Sequence, residues 1–224
     1  NSLESIFELQ FNQGKGQENG TYDVTYDDDR FGASIYARDI LGVGEQYRKN
    51  GSFNPTEFYI WKYAGSNADG ITVRSNAVLR DANWIIYRMA DILLMKAEAL
   101  HQIGQSDEAV QLVNQVRLRA QVPLVSKPSS ENAIEDLILE ERARELAFEG
   151  KRYFDLMRMG RRNNFERKGA FIDRIIQNVT PSQRFVLATK LNDPYGWYFP
   201  IHIDELEANI NLEQNPYYES LTNF

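Results

Sequence analysis

Six of the twelve tyrosines, Tyr22, Tyr26, Tyr36, Tyr47, Tyr59 and Tyr63, fall within the first 63 residues, and the first four stand among Asn, Asp, Gly and Gln. Rings in such polar company are poor core residues. An aromatic ring set against the apolar C–H face of a pyranose, with amides or carboxylates nearby for the hydroxyls, is a common way for a protein to hold a sugar. Tyr22, Tyr26, Tyr36 and Tyr47 are therefore offered as stacking residues. Asn19, Asp23 and Arg38 could supply hydrogen bonds, although nothing in the spacing selects them. Trp197, in a turn segment 193–197, is a further stacking ring, whereas Trp61 reads as a core residue on a strand. The plain alternative is that these tyrosines anchor a long loop and leave only their hydroxyls wet.

Glu141 and Glu145 are one helical turn apart and continue the apolar line of Ile134, Leu137 and Ile138, so two carboxylates point inward. A glycosidase needs two carboxyls across a scissile bond, roughly 5 to 9.5 Å apart. Arg142, Arg144, Arg152 and Arg158 share the same stretch, with Glu140 to Arg144 at i,i+4 and Glu149 to Arg152, Arg152 to Asp155 and Asp155 to Arg158 at i,i+3. A structural ion-pair network is the preferred reading over catalysis. Asp27, Asp28 and Asp29 invite a calcium reading, but counting from Asp27 puts Phe31 and Arg38 where the helix-loop-helix pattern wants ligands. A solvated acidic turn is the better reading. His101 and His202 each lack a second histidine at i+3 or i+4, so no metal site is expected. No nucleophile elbow, phosphate loop or dinucleotide fingerprint occurs, and no cofactor is implied.

The elements that must position these groups are mainly helical, with minor strand content. Residues 4–11 alternate, with Phe7, Leu9 and Phe11 on one face, and predict a half-buried strand. Residues 13–54 read as a long loop with one short helix over 34–41, and residues 57–63 as a second strand. From Ile85 to Ile103 apolar residues lie on nearly every side, so that helix needs neighbours on several faces. Gly104 stops it and Ser106 is placed to cap the next, whose stripe is Ala109, Leu112, Val113, Val116 and Ala120. This hairpin resembles a single tetratricopeptide-type unit, and such units need about three stacked copies, so partners must come from the rest of the chain or from upstream of it. Ser130 is placed to cap a third helix running to about Arg158, and Gly160 to end it. A shorter helix follows over 165–177, then extended aromatic pieces over 185–190 and 195–203. The expected organisation is a strand and loop-rich ligand-facing part (1–83), a helical scaffold (84–160) and a helical and extended tail (161–224).

At 224 residues the chain can bury a sizeable core. A formal charge of -7 argues against nucleic acid, since the one basic cluster is Arg161, Arg162, Arg167 and Lys168. The absence of cysteine excludes disulfides and thiolate chemistry without fixing the compartment. No apolar run is long enough to span a bilayer, and the chain starts without Met on a strand-like segment, which predicts a processed or truncated product.

Five segments in this order, ESIFELQF (4–11), YRMADILLMKAEAL (87–100), VNQVRLRA (113–120), ILEERARELAFEGKRYFDLMRMG (138–160) and YFPIHIDELEANINLEQNPYY (198–218), together resemble the C-terminal part of the SusD/RagB family. The tail departs from that pattern at His202, where the family tends to have Pro, and at Tyr217, where it tends to have Gly. The resemblance implies non-catalytic binding of oligosaccharide at the outer face of the outer membrane, above a SusC-like TonB-dependent transporter. It also implies that further tetratricopeptide-like helices and a lipidated cysteine lie in an N-terminal half outside this chain, so that membrane attachment would come only through that anchor. Two other readings stand beside it. One is a helical scaffold that binds a partner protein, with the tyrosine loop purely structural; the other is a helical glycoside hydrolase using Glu141 and Glu145.

Overall fold

The computed structural model describes residues 4–21, 31–64 and 82–221. Tyr22, Tyr26, Asp23 and the Asp27 to Asp29 run lie outside the described residues. The chain divides into two compact units, Asn1–Arg152 and Tyr153–Phe224.

In the first unit, β1 (Ser5–Leu9) pairs antiparallel with β2 (Trp84–Arg88), with Glu8 opposite Ile85 and Leu9 opposite Trp84. The second strand replaces the expected start of the long helix at Ile85. The run Trp-Ile-Ile-Tyr is β-branched and aromatic and finds a ladder partner in β1, which outweighs its helical spacing. The expected burial of one face of β1 is not found, because Phe7 and Leu9 are about half exposed, as is Ile6 on the other face, and only Glu8 among these is partly covered. Glu8 is held there by Ser5 Oγ and Asn83 Nδ2, both donating at 2.8 Å.

Helix α1 (Ile35–Ile40) is the short helix expected over 34–41, whereas α2 (Gln46–Ser52) lies in a stretch read as loop. Ser34 caps α1 by accepting from the Ala37 amide, as its residue type suggests. They share a small core of Ala33, Ala37, Leu41, Phe53 and Ala147. The strand expected over 57–63 is absent: Tyr59 and Ile60 make only isolated bridges, to Gly32 and Phe53. Phe58 sits at φ 66, in the left-handed region, which breaks any regular pleat.

The main core lies between α3 (Met89–Gln102), α4 (Ser106–Arg119) and α5 (Glu131–Glu145). Ala90, Leu94, Ala97 and Leu100 meet Ala109, Val110, Val113 and Val116, with Ile134 and Ile138 closing the layer. Gly104 turns the hairpin at φ 81, a conformation that favours a residue without Cβ. Helix α3 is covered on this side only; Met89, Ile92, Met95 and Ile103 remain exposed as a helical stripe. Neighbours on several faces are thus not supplied by the described residues. Ser106 is not a cap but the first residue of α4; its hydroxyl donates to Glu131 and lies 3.1 Å from His101 Nδ1. Ser130 does cap α5, accepting from Ala133. Asn114 clamps the proline-bearing connection by exchanging two hydrogen bonds of 2.9 Å with the Val125 backbone.

The third long helix ends at Glu145 and not near Arg158. Phe148 and Gly150 at φ 66 and 74 break the path, and a separate helix, α6 (Arg152–Phe165), follows. Gly160 does not stop this helix. It is buried within it, where a Cβ would lie 2.8 Å from Phe171 Cβ and 3.1 Å from Trp197 Cη2, so its role is close approach. The helical path is instead lost at Arg162 to Asn164. In the second unit α7 (Lys168–Ile176) is as expected, but α8 (Pro181–Leu191) is a helix where an extended piece was expected. Pro181 at the first helical turn presets its φ and has no N–H to leave orphaned. A 3-10 turn (Pro194–Trp197) and α9 (Ile203–Ala208) complete it, with His202 capping α9 by accepting from the Asp204 amide.

A charge-lined pocket beside Tyr47

The inward line of α5 carries the chemistry. Glu141 is fully buried and accepts from Arg48 Nη2 at 2.5 Å and Arg117 Nη1 at 2.6 Å. Glu145 accepts from Arg48 Nε at 3.0 Å, from Arg88 Nη1 at 2.6 Å, and from Arg119. Glu149 binds Arg88 and, at 2.6 Å, Lys62, while Glu45 pairs with Arg48 at 3.0 Å and Glu4 with Arg119 at 3.0 Å. Arg48, Lys62, Arg88, Arg117, Arg119 and Arg144 thus face Glu4, Glu45, Glu141, Glu145 and Glu149, an excess of one positive charge among the described residues of this lattice. The ion-pair reading of Glu141 and Glu145 holds, but through distant cations. Of the expected local pairs on this stretch, Asp155–Arg158 forms at 2.8 Å.

Burial pushes the Glu145 carboxyl up, and the guanidiniums of Arg88, Arg119 and Arg48 more than reverse this, holding it below its ordinary value. Glu149 is likewise raised by burial and pulled lower overall by Lys62 and Arg88. Burial lowers the Lys62 ammonium, and the nearby Arg88 charge adds to the fall, beyond what Glu149 restores. Because the native carboxyls bind protons less readily than unfolded ones, their stabilisation is complete above the free glutamate pKa of about 4.3 and is lost as pH falls through the lowered native values. Urea midpoints are therefore expected to be flat from neutrality to about pH 5 and to fall below about pH 4. Midpoints unchanged at lower pH would refute this assignment.

Above the lattice a cavity of about 300 Å³ is lined by Tyr47, Arg48, Gly51, Ser52, Lys62, Arg88, Arg119, Ala120, Gln121, Arg144 and Glu145. Tyr47, on α2, is 66% exposed, so one of the four expected stacking tyrosines stands at its edge with a free ring. Tyr36 does not: its hydroxyl donates to Glu140 at 2.8 Å, accepts from Arg152 at 2.5 Å, and its ring lies under the Arg152 guanidinium at 5.3 Å. It anchors α1 to Glu140 of α5 and to Arg152. Trp197 is also a correction, since at 1% exposure it is packed 4.0 Å from the Phe171 ring and donates from Nε1 to Leu191 O. No face is left for a ligand. Asn19 is buried and holds Ala82 O at 2.8 Å, and Arg38 lies over the Phe58 ring at 4.2 Å. Trp61 is partly covered and bonds to Asn50 O.

Arg48, Lys62 and Arg88 are not singled out by the sequence, nor is the inward role of Arg117 and Arg119. The signal was the inward carboxylate line itself, which demands buried cations. Among the described residues no cluster of His, Asp or Glu could hold a metal ion, and no helix is long and apolar enough to cross a membrane.

Comparison with known proteins agrees with this fold. SusD-like protein P38 of Formosa agariphila is 46% identical over 86 residues, 35% of this chain and 17% of that protein. SusD-like protein P2 of the same organism is 37% identical over 107 residues, 44% of this chain and 20% of that protein. A SusD superfamily crystal structure from Bacteroides vulgatus superimposes with a TM-score of 0.60 at 21% identity, over 97% of this chain and 51% of that one. Surface glycan-binding protein A from Bacteroides thetaiotaomicron gives 0.53 at 23%, over 96% of this chain and 52% of that one. The chain thus spans about half the length of these structures and matches a fifth or less of these two curated relatives. The SusD family model matches residues 32–218, and with that span, this helical order and these relatives, the chain belongs to the SusD family.

Proposed function

We propose that this chain is part of a cell-surface protein that binds oligosaccharide without transforming it, for delivery to a SusC-like TonB-dependent transporter in the outer membrane. Family membership supports the binding role. The observation that carries it to particular residues is the exposed Tyr47 ring at a cavity lined by charged side chains. Tyr22 and Tyr26 are proposed as further stacking rings, outside the described residues. Attachment to the membrane would come through a lipid anchor outside this chain.

The glycosidase reading loses support from the same lattice. A general acid must carry a proton near neutral pH, and Glu145 is held below its ordinary range by three guanidiniums. The open stripe on α3 favours a second reading, in which this helix also contacts further polypeptide.

Electrophoresis through gels containing polysaccharide separates the readings. Retardation by at least one glycan, reduced about tenfold in apparent affinity by Tyr47→Ala, is expected from loss of one stacking ring and its area. Mobility unchanged in every glycan favours a protein scaffold. Release of reducing sugar, lost in Glu145→Gln, would restore the hydrolase.

A further inference from the structure

The cavity beside Tyr47 has more cationic reach than its own carboxylates use. Arg144 donates from Nε to Ile40 O at 3.2 Å, and its nearest carboxylate, Glu45, is 3.8 Å away, beyond hydrogen-bond range. Its two terminal nitrogens make no hydrogen bond to any described residue. Arg119 is also accessible, with 47% of its side chain exposed although it pairs with Glu4 and Glu145. Arg48, Lys62 and Arg88 complete the cationic wall behind them, and the lattice as a whole carries one more cation than carboxylate.

A guanidinium fork with both terminal nitrogens open is the match for a planar carboxylate or for two oxygens of a sulfate ester. A neutral hydroxyl cannot use it as fully, since it offers no charge and no paired acceptors. Tyr47 stands at the same opening with a ring suited to the C–H face of a sugar. We propose that this pocket binds an acidic sugar residue, its ring on Tyr47 and its carboxylate or sulfate on Arg144 and Arg119. The inference rests on the glycan-binding reading above and narrows it to anionic glycans.

The full chain is run in gels of polygalacturonate, which has a carboxylate on every sugar, carrageenan, which has sulfate esters, and galactan, which has neither. Retardation by one or both anionic polysaccharides at about tenfold lower concentration than by galactan is expected, weakening as salt is raised toward 1 M. Which of the two retards the protein identifies the anion. Arg144→Gln is expected to lose this preference by about tenfold, the value of one charge-assisted fork, while keeping any galactan retardation. In case that variant folds poorly, the melting temperature of the native protein is measured with galacturonate, galactose 6-sulfate and galactose. A rise with either acid and not with galactose supports the pocket. Equal retardation by all three polysaccharides, or an unchanged preference in a folded Arg144→Gln, overturns the anionic pocket but leaves glycan binding standing. No retardation by either anionic polysaccharide, with no rise in melting temperature, likewise overturns the anionic pocket, and glycan binding then falls only if the wider gel series also leaves mobility unchanged.

Discussion

Glu141→Ala is expected to destabilise the first unit by about 3–5 kcal/mol, the usual effect of removing one partner from a buried ion pair. The carboxylate is fully enclosed, and its two oxygens take the short bonds from Arg48 and Arg117. Without it, Arg48 retains Glu45 and Glu145, each at 3.0 Å, but Arg117 is left with Pro123 O and a carboxylate 3.7 Å away. A buried guanidinium so reduced must draw in water or shift the ends of α4 and α5. For a domain of this size the melting temperature should fall by roughly 10 °C. Glu141→Gln keeps an acceptor of the same shape and should lose less. Urea unfolding followed by circular dichroism measures both; a cost under about 1 kcal/mol for the alanine variant would place the pair with surface bridges.

Trp197→Ala is expected to cost the second unit about 3–5 kcal/mol, the range for emptying a buried aromatic site. Its ring is tilted on Phe171, meets Phe165 edge-on with centroids 5.6 Å apart, and anchors its indole N–H on Leu191 O at 2.7 Å. Gly160 allows α6 to come against both rings, so collapse around the cavity is limited to the small shift that glycine backbone permits. Trp197→Phe should retain most of the packing and lose chiefly the indole hydrogen bond, about 1 kcal/mol. Chemical denaturation with near-ultraviolet circular dichroism reads the difference. An alanine variant within about 1 kcal/mol of native would mean that the ring is not central to this core.

What could be read from the sequence follows the range of the interactions involved. Gly104 and Ser130 mark helix ends through contacts within a few residues, and each acts where its type suggested. The inward direction of Glu141 and Glu145 follows from helical period alone. Their partners could not be read: Arg48 and Arg88 lie 97 and 57 residues from Glu145, and only the folded path brings them there. Ile85 to Arg88 satisfies both periods over its short length, and the presence of β1 decides for strand. Phe185 and Val186 suggested extension, but they are exposed on α8, where the start set by Thr180 and Pro181 prevails. Tyr36 and Tyr47 shared one sequence context and have opposite fates, because Arg152 and Glu140 reach the first and not the second.

The open faces of β1 bear on how the isolated chain behaves in concentrated solution. Among the described residues its sheet has only two members, so the far side of Ser5–Leu9 offers ladder groups to a stranger. Ile6, Phe7 and Leu9 are each about half uncovered there, and Tyr87 and Met89 extend the greasy strip. Neither proline nor lysine interrupts the segment to discourage adhesion. Copies would first stick together along this margin, and a lysine at Phe7 is the change that should keep them apart.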